Sequence, residues 1–219
     1  MDGLILTGGS LDLAFASSFL KKNTFDKVIA VDGGLSALKA LDLKPDAVVG
    51  DFDTASPELV AEYRQAKDEV TWEVHKPEKD ETDTELALAT AAKIGCTAVV
   101  LLGATGGRLD HLLANIHLLY YCHELGMEGR IVDSQNCVYL LLKGKTFLRS
   151  RTWGNYISFV PFTQHVKGIT LTGFKYPLNK KNLTIGREAG LCISNELAKE
   201  KGILEFDSGI LICIESKDG

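Results

Sequence analysis

The sequence predicts an α/β N-terminal domain over residues 1–134, with a mostly parallel sheet and helices on both faces. It predicts an all-β, sandwich- or barrel-like C-terminal domain over 135–219. Three observations carry this. Short apolar runs alternate with helix-like stretches as far as Ser134. The run Ala98-Val99-Val100-Leu101-Leu102 is apolar throughout, as in a strand covered on both faces. Beyond Ser134 no long helical pattern recurs, and the short runs are broken by Gly, Pro and Asn.

The elements follow in order. Gly3-Leu4-Ile5-Leu6 is a first strand ending at Gly8-Gly9-Ser10, and a helix-like stretch runs on to about Lys22. Lys27–Val31 is a second strand, stopped by Asp32-Gly33-Gly34, with a helix from Leu35 to Leu41. Asp46–Gly50 is a third strand; Ser56-Pro57 then supplies a cap and a first-turn proline for a helix to Ala66. Val70–Val74 alternates as a fourth strand. Thr82-Asp83-Thr84-Glu85 has the capping-box pattern and opens an Ala/Leu-rich helix ending near Gly95. After the fifth strand, Leu112, Leu113, Ile116, Leu119 and Tyr120 recur at helical intervals, and Gly129–Asp133 is a sixth strand. Strands joined by helices imply right-handed parallel crossovers. In the second half, Val138–Leu142, Thr146–Arg149, Tyr156–Val160, Ile169–Leu171 and Ile210–Ile214 are strand-like.

Composition narrows the classes. The 219 residues carry a net charge of −5, which argues against a surface dedicated to nucleic acid but not against ATP. No apolar run reaches the ~18 residues of a membrane span. No signal peptide is evident at the N-terminus. Five scattered cysteines without a CxxC pair fit a reducing, cytoplasmic setting, as small buried residues.

The chemistry-bearing residues gather where predicted strands end, and ligands of open α/β sheets bind at that edge. Asp51 and Asp53, two apart, present both carboxylates on one side of an extended chain. Hard oxygen donors suit Mg²⁺, though a polar strand exit also accounts for the pair. Asp80 and Asp83 flank a helix start, where capping and the helix dipole favour acids as well. Gly106-Gly107-Arg108 combines a backbone able to approach a phosphate with a planar cationic fork. Asp110 could accept from a ribose hydroxyl or orient Arg108. His111 reads as a proton shuttle or as an ordinary helix histidine. Asp32, beside Gly33, adds a further carboxylate to the same edge. Gly8-Gly9-Ser10 reads as a turn more readily than as a phosphate loop, since the Walker pattern is absent. Mg²⁺-nucleotide chemistry is the leading expectation.

Taken together, Asp32-Gly33-Gly34, Gly50-Asp51-Phe52-Asp53-Thr54, Lys79-Asp80-Glu81-Thr82-Asp83 and Gly106-Gly107-Arg108-Leu109-Asp110-His111 resemble, in order and spacing, the thiamine pyrophosphokinase family. So do Val166-Lys167-Gly168-Ile169, Gly173-Phe174-Lys175-Tyr176-Pro177-Leu178 and Ile193-Ser194-Asn195-Glu196. The resemblance implies an ATP-binding N-terminal domain and a β domain completing a thiamine site. It also implies a homodimer with thiamine where protomers meet. The implied reaction is Mg²⁺-dependent transfer of the β,γ-pyrophosphoryl group of ATP to thiamine, releasing AMP. By position, Asp51, Asp53 and Asp83 match metal-binding and catalytic aspartates, with Arg108 catalytic. Asp32, Gly33, Gly106, Gly107, Arg108 and Asp110 match nucleotide-binding positions. Tyr176, Ser194 and Asn195 match positions near thiamine. Thr54 stands where the family usually has Ser, and Tyr176 where some members have Trp, the better cation–π partner. The competing expectations are a nucleotide-binding sensor and a nucleotide hydrolase.

Overall fold

A computed structural model of the chain describes residues 1–52, 56–66, 70–74 and 80–219. The chain divides into two compact units, Met1–Ser134 and Gln135–Gly219.

In the first unit, β1 (Asp2–Leu6), β2 (Lys27–Val31), β3 (Ala47–Gly50), β4 (Thr71–Val74), β5 (Ala98–Leu102) and β6 (Glu128–Val132) pair in parallel. Their spatial order is β4-β3-β2-β1-β5-β6. The helices α1 (Leu13–Leu20), α2 (Gly34–Ala40), α3 (Pro57–Ala66), α4 (Asp83–Lys93) and α5 (Leu109–Glu124) make the connections. The strand order runs outward from β1 to β4, then reverses to β5 and β6. Right-handed crossovers therefore put α2 and α3 on one face and α4 and α5 on the other. The reversal lies between β1 and β5, where Leu6 pairs with Leu102. At such a switch point the loops part and leave a crevice.

The middle strands are apolar because both faces are covered: Leu4, Ile5, Leu6, Ile29, Val48 and Leu101 are fully buried. Helix starts are locally encoded. The Asp12 carboxylate accepts from the N–H groups of Ala14 and Phe15 at 2.9 and 3.0 Å, and the Thr82 hydroxyl accepts from Glu85 N–H at 3.2 Å.

The second unit has two antiparallel sheets. One holds β7 (Asn136–Leu141), β13 (Leu211–Ser216) and β9 (Tyr156–Pro161). The other, in order β11-β10-β12-β8, holds β8 (Lys145–Leu148), β10 (His165–Thr172), β11 (Leu178–Thr184) and β12 (Lys201–Glu205). Phe147, Phe159 and Phe174 meet edge to face with centroids 5.8–5.9 Å apart, so the sandwich core is aromatic. A buried polar network ties β7, β8 and β13. The Tyr139 hydroxyl donates to Glu215 at 2.5 Å, Lys145 Nζ donates to the Tyr139 oxygen at 2.7 Å, and Trp153 N–H donates to Glu215 at 2.7 Å. Burial pushes the Tyr139 phenol above its ordinary range.

Strands β11 and β12 are absent from the runs read in the sequence. β11 is an exposed edge strand rich in Lys and Asn, with Lys180 in a left-handed conformation. In β12 a core-facing position is Gly202, which leaves room for Phe174 and Leu197 and erases the apolar alternation. Among the described residues, no helix is long and apolar enough to cross a membrane.

Candidate functional site

The crevice at the β1/β5 switch point is a cleft of about 610 Å³ in the first unit. It is built mainly from strand exits and the helix starts that follow them. Asp32 follows β2, Asp51 follows β3, Asp83 opens α4, and Gly106, Gly107 and Arg108 precede α5; all of them line it.

Its floor is main chain. Thr7 N–H donates to Leu102 C=O at 3.0 Å, closing the end of β1 onto β5. A Cβ at Gly9 would overlap the carbonyl oxygen of Gly103, so the two turns can lie this close only with glycine at that position. Asn115, nearly buried on α5, donates to Ala104 C=O at 3.0 Å and fixes the second turn. Gly106 and Gly107 both adopt left-handed φ, at 82° and 74°, and a Cβ on Gly107 would meet nothing within 4 Å. The backbone there is free to approach an anion.

Above this floor the side chains carry charge. Asp32, itself left-handed at φ 43°, accepts from Phe52 N–H at 3.2 Å. Its carboxyl is raised from 3.8 to about 7, chiefly by burial. The neighbouring Asp83, which also hydrogen-bonds it, and Asp51 raise it further against the lowering effect of the Phe52 N–H. Arg108 forks onto Asp110, with Nε 3.1 Å and Nη2 2.5 Å from its two oxygens. That fork, helped by His111 N–H, holds Asp110 down at about 2.

The cleft thus brings together Asp32, Asp51, Asp83, Gly106, Gly107 and Arg108. Asp110 joins through Arg108, and Gly33 packs behind Gly8. Asp80 is exposed and is not part of the wall. Asp53, Thr54 and Lys79 lie outside the described residues. His111 lines the cleft with its backbone held by Asp110. Sequence reasoning missed Thr7 and Asn115 as wall residues, and for Gly8-Gly9-Ser10, which also lines the cleft, it favoured a turn over a phosphate loop. The available signal was the position of Gly8-Gly9 at the exit of the first strand.

Among the described residues, no three His, Cys, Asp or Glu side chains form a ready metal cage. The donor set still fits a hard dication. Four carboxylates, those of Asp32, Asp51, Glu81 and Asp83, line one cleft, and that of Asp32 is raised to about 7. Mg²⁺ takes one or two carboxylates and completes its shell with water and phosphate oxygens.

Tyr176, Ser194 and Asn195 cluster in the second unit. Asn195 is 1% exposed, and its amide oxygen accepts from Tyr176 and Glu196 N–H at 3.1 and 2.9 Å. Its amide nitrogen donates to Tyr176 C=O at 2.9 Å. Asn195 therefore clamps the backbone of Tyr176, whose ring stands 54% exposed. Ser194 is left-handed at φ 52° and exposed, and its N–H donates to the Ser158 hydroxyl at 2.9 Å. Lys175 Nζ lies 5.6 Å from the Tyr176 ring centroid and 2.6 Å from Glu196.

Comparison with known proteins matches residues 19–130 to the thiamin pyrophosphokinase catalytic domain and residues 146–211 to the thiamin pyrophosphokinase vitamin B1 binding domain. The chain is 39% identical over 190 residues to thiamine pyrophosphokinase of Bacillus subtilis, covering 87% of each. A crystal structure of thiamine pyrophosphokinase from Bacillus subtilis superposes with a TM-score of 0.87 at 33% identity, covering 100% of both chains. That from Geobacillus thermodenitrificans gives 0.83 at 35%, covering 100% of this chain and 99% of the other. The acidic cleft with its Gly-Gly-Arg turn, the clamped tyrosine of the β unit and these likenesses agree, and the chain belongs to the thiamin pyrophosphokinase family.

Proposed function

We infer that the protein is a thiamine diphosphokinase, transferring a pyrophosphoryl group from ATP to thiamine and forming thiamine diphosphate and AMP. The observation that carries the mechanism is the convergence of Asp32, Asp51 and Asp83 with the Gly106-Gly107-Arg108 turn on one cleft. We propose that the triphosphate lies over this turn. Left-handed Gly106 and Gly107 present the main chain to it, and Arg108, oriented by Asp110, holds the group that is transferred. Asp51 and Asp83, with Asp53 assigned from the sequence, are the residues we assign to Mg²⁺. When bound, the ion neutralises phosphate charge and makes the β-phosphorus accessible to attack.

The thiamine hydroxyl oxygen attacks that phosphorus. Its bond to the oxygen bridging the α- and β-phosphates breaks, and AMP leaves with that oxygen. The hydroxyl proton passes to the carboxylates of the cleft. Most of the acceleration comes from alignment and charge neutralisation. We assign Tyr176, Ser194 and Asn195 to thiamine, with the exposed Tyr176 ring as the stacking face for a cationic ligand. We further propose that the active form is a homodimer, for which light scattering is the test. The five cysteines are free and buried, in keeping with a reducing compartment.

The deciding experiment incubates the protein with ATP, Mg²⁺ and thiamine. The expected products are thiamine diphosphate and AMP. ADP as the sole nucleotide product would make it an ordinary kinase, phosphate release without thiamine a hydrolase, and binding without turnover a sensor. In the same assay Asp51→Asn should raise the Mg²⁺ requirement at least about tenfold.

A further inference from the structure

Phe52 has a backbone that few bulky residues adopt, with φ 63°. Two contacts keep it there. Its N–H donates to the Asp32 carboxylate at 3.2 Å, and its ring meets the Trp72 ring at a centroid distance of 5.4 Å and an interplanar angle of 60°. Trp72 sits on β4, one strand out from β3, whose exit carries Asp51. The Arg64 guanidinium of α3 lies 5.0 Å from the Trp72 ring centroid. A strained residue is thus pinned between a cleft carboxylate on one side and an aromatic–cation stack on the other. Strain of this kind persists only where surrounding contacts over-determine it. Phe52 directly follows Asp51 in the chain, and its N–H holds one oxygen of Asp32.

We propose that Phe52 is a positioning residue for the acidic cleft, and that Trp72, through Phe52, senses occupation of that cleft by a magnesium nucleotide. The inference rests on the nucleotide reading of the cleft, and its test separates the two.

The protein has two tryptophans, so Trp153→Phe leaves Trp72 as the sole tryptophan, excited selectively at wavelengths that tyrosine does not absorb. This variant is titrated with Mg²⁺ and α,β-methylene-ATP, by fluorescence and by calorimetry on the same sample. Trp72 emission should change saturably with the calorimetric midpoint. Adding Phe52→Ala should abolish the emission change and raise the midpoint about tenfold or more, with Phe52→Tyr restoring both. In turnover assays Phe52→Ala should lower kcat while leaving the KM for thiamine within about twofold, because its effect acts on the cleft side chains. Calorimetric binding with silent Trp72 emission would overturn the proposal, as would a native midpoint in Phe52→Ala. Absence of calorimetric binding would remove the nucleotide reading and this inference with it. If Phe52→Ala does not fold, Phe52→Leu and the Trp153→Phe titration decide the matter on the same criteria.

Discussion

Arg108 and Asp110, two residues apart at the start of α5, face each other as a planar pair, with both carboxylate oxygens engaged by one guanidinium. Both side chains are mostly exposed, so the pair adds little to stability. Its value is orientation. Arg108→Lys keeps the charge and loses the fork, and turnover should fall about a hundredfold. Asp110→Ala should raise the KM for ATP with a smaller effect on kcat. Thermal midpoints of both variants should stay within about 2 °C of the parent, so unfolding curves recorded beside the kinetics will separate the two effects.

Asp32 gives a pH signature. Its carboxyl is near 7 in the folded chain against an ordinary 3.8. Between about pH 4 and 7 the folded state therefore binds more protons than the unfolded one, and Asp32 makes stability fall as pH rises through that window. Asp32→Asn removes the charge and keeps an oxygen for Phe52 N–H. Without Mg²⁺ its melting temperature should exceed the parent's by about 2–4 °C at pH 8 and match it near pH 4. Scanning calorimetry at the two pH values checks this, and equal midpoints at pH 8 would refute it.

Tyr176 and Asn195 should separate by kinetics. Tyr176→Ala removes an exposed ring and should raise the KM for thiamine about tenfold, with the KM for ATP within twofold. Asn195→Ala removes the clamp on the same backbone and should reproduce that KM effect. It should also cost about 1–3 kcal/mol of stability, because buried N–H and C=O groups lose partners. Urea denaturation alongside steady-state assays distinguishes them. Equal effects on both substrates would contradict the stacking role.

Glu215 tests the β unit by itself. It is 6% exposed and receives Tyr139 O–H and Trp153 N–H. Glu215→Ala removes the acceptor of both donors while Lys145 keeps the Tyr139 oxygen, and should cost about 2–3 kcal/mol in urea denaturation. Tyr139→Phe should cost about 1–2 kcal/mol.

The parallel half of the fold was legible because its strands are covered on both faces and read as unbroken apolar runs, as at Ala98–Leu102. Its helix starts were legible through Thr82 and Pro57. Strands β11 and β12 were not. The exposed Lys-Asn face of one and Gly202 in the other remove the alternation on which a strand is recognised. In the site, the charged side chains and the Gly106-Gly107 turn announced themselves, and the contacts that fix the turns did not. Asp32, Asp51, Asp83 and Arg108 stood out as residue types suited to phosphate and metal. Asn115 and Thr7 work through backbone partners distant in sequence, at Ala104 and Leu102, and nothing local marks them.

The interlocked turns at Gly9 and Gly103 limit what protein engineering can alter here. A routine alanine scan would register a shifted loop at Gly9 and misattribute it to a deleted ligand contact, because there is no side chain to delete. A search for variants accepting a different phosphate donor would find its permissible changes among the acids and Arg108, and would find the floor nearly closed to substitution.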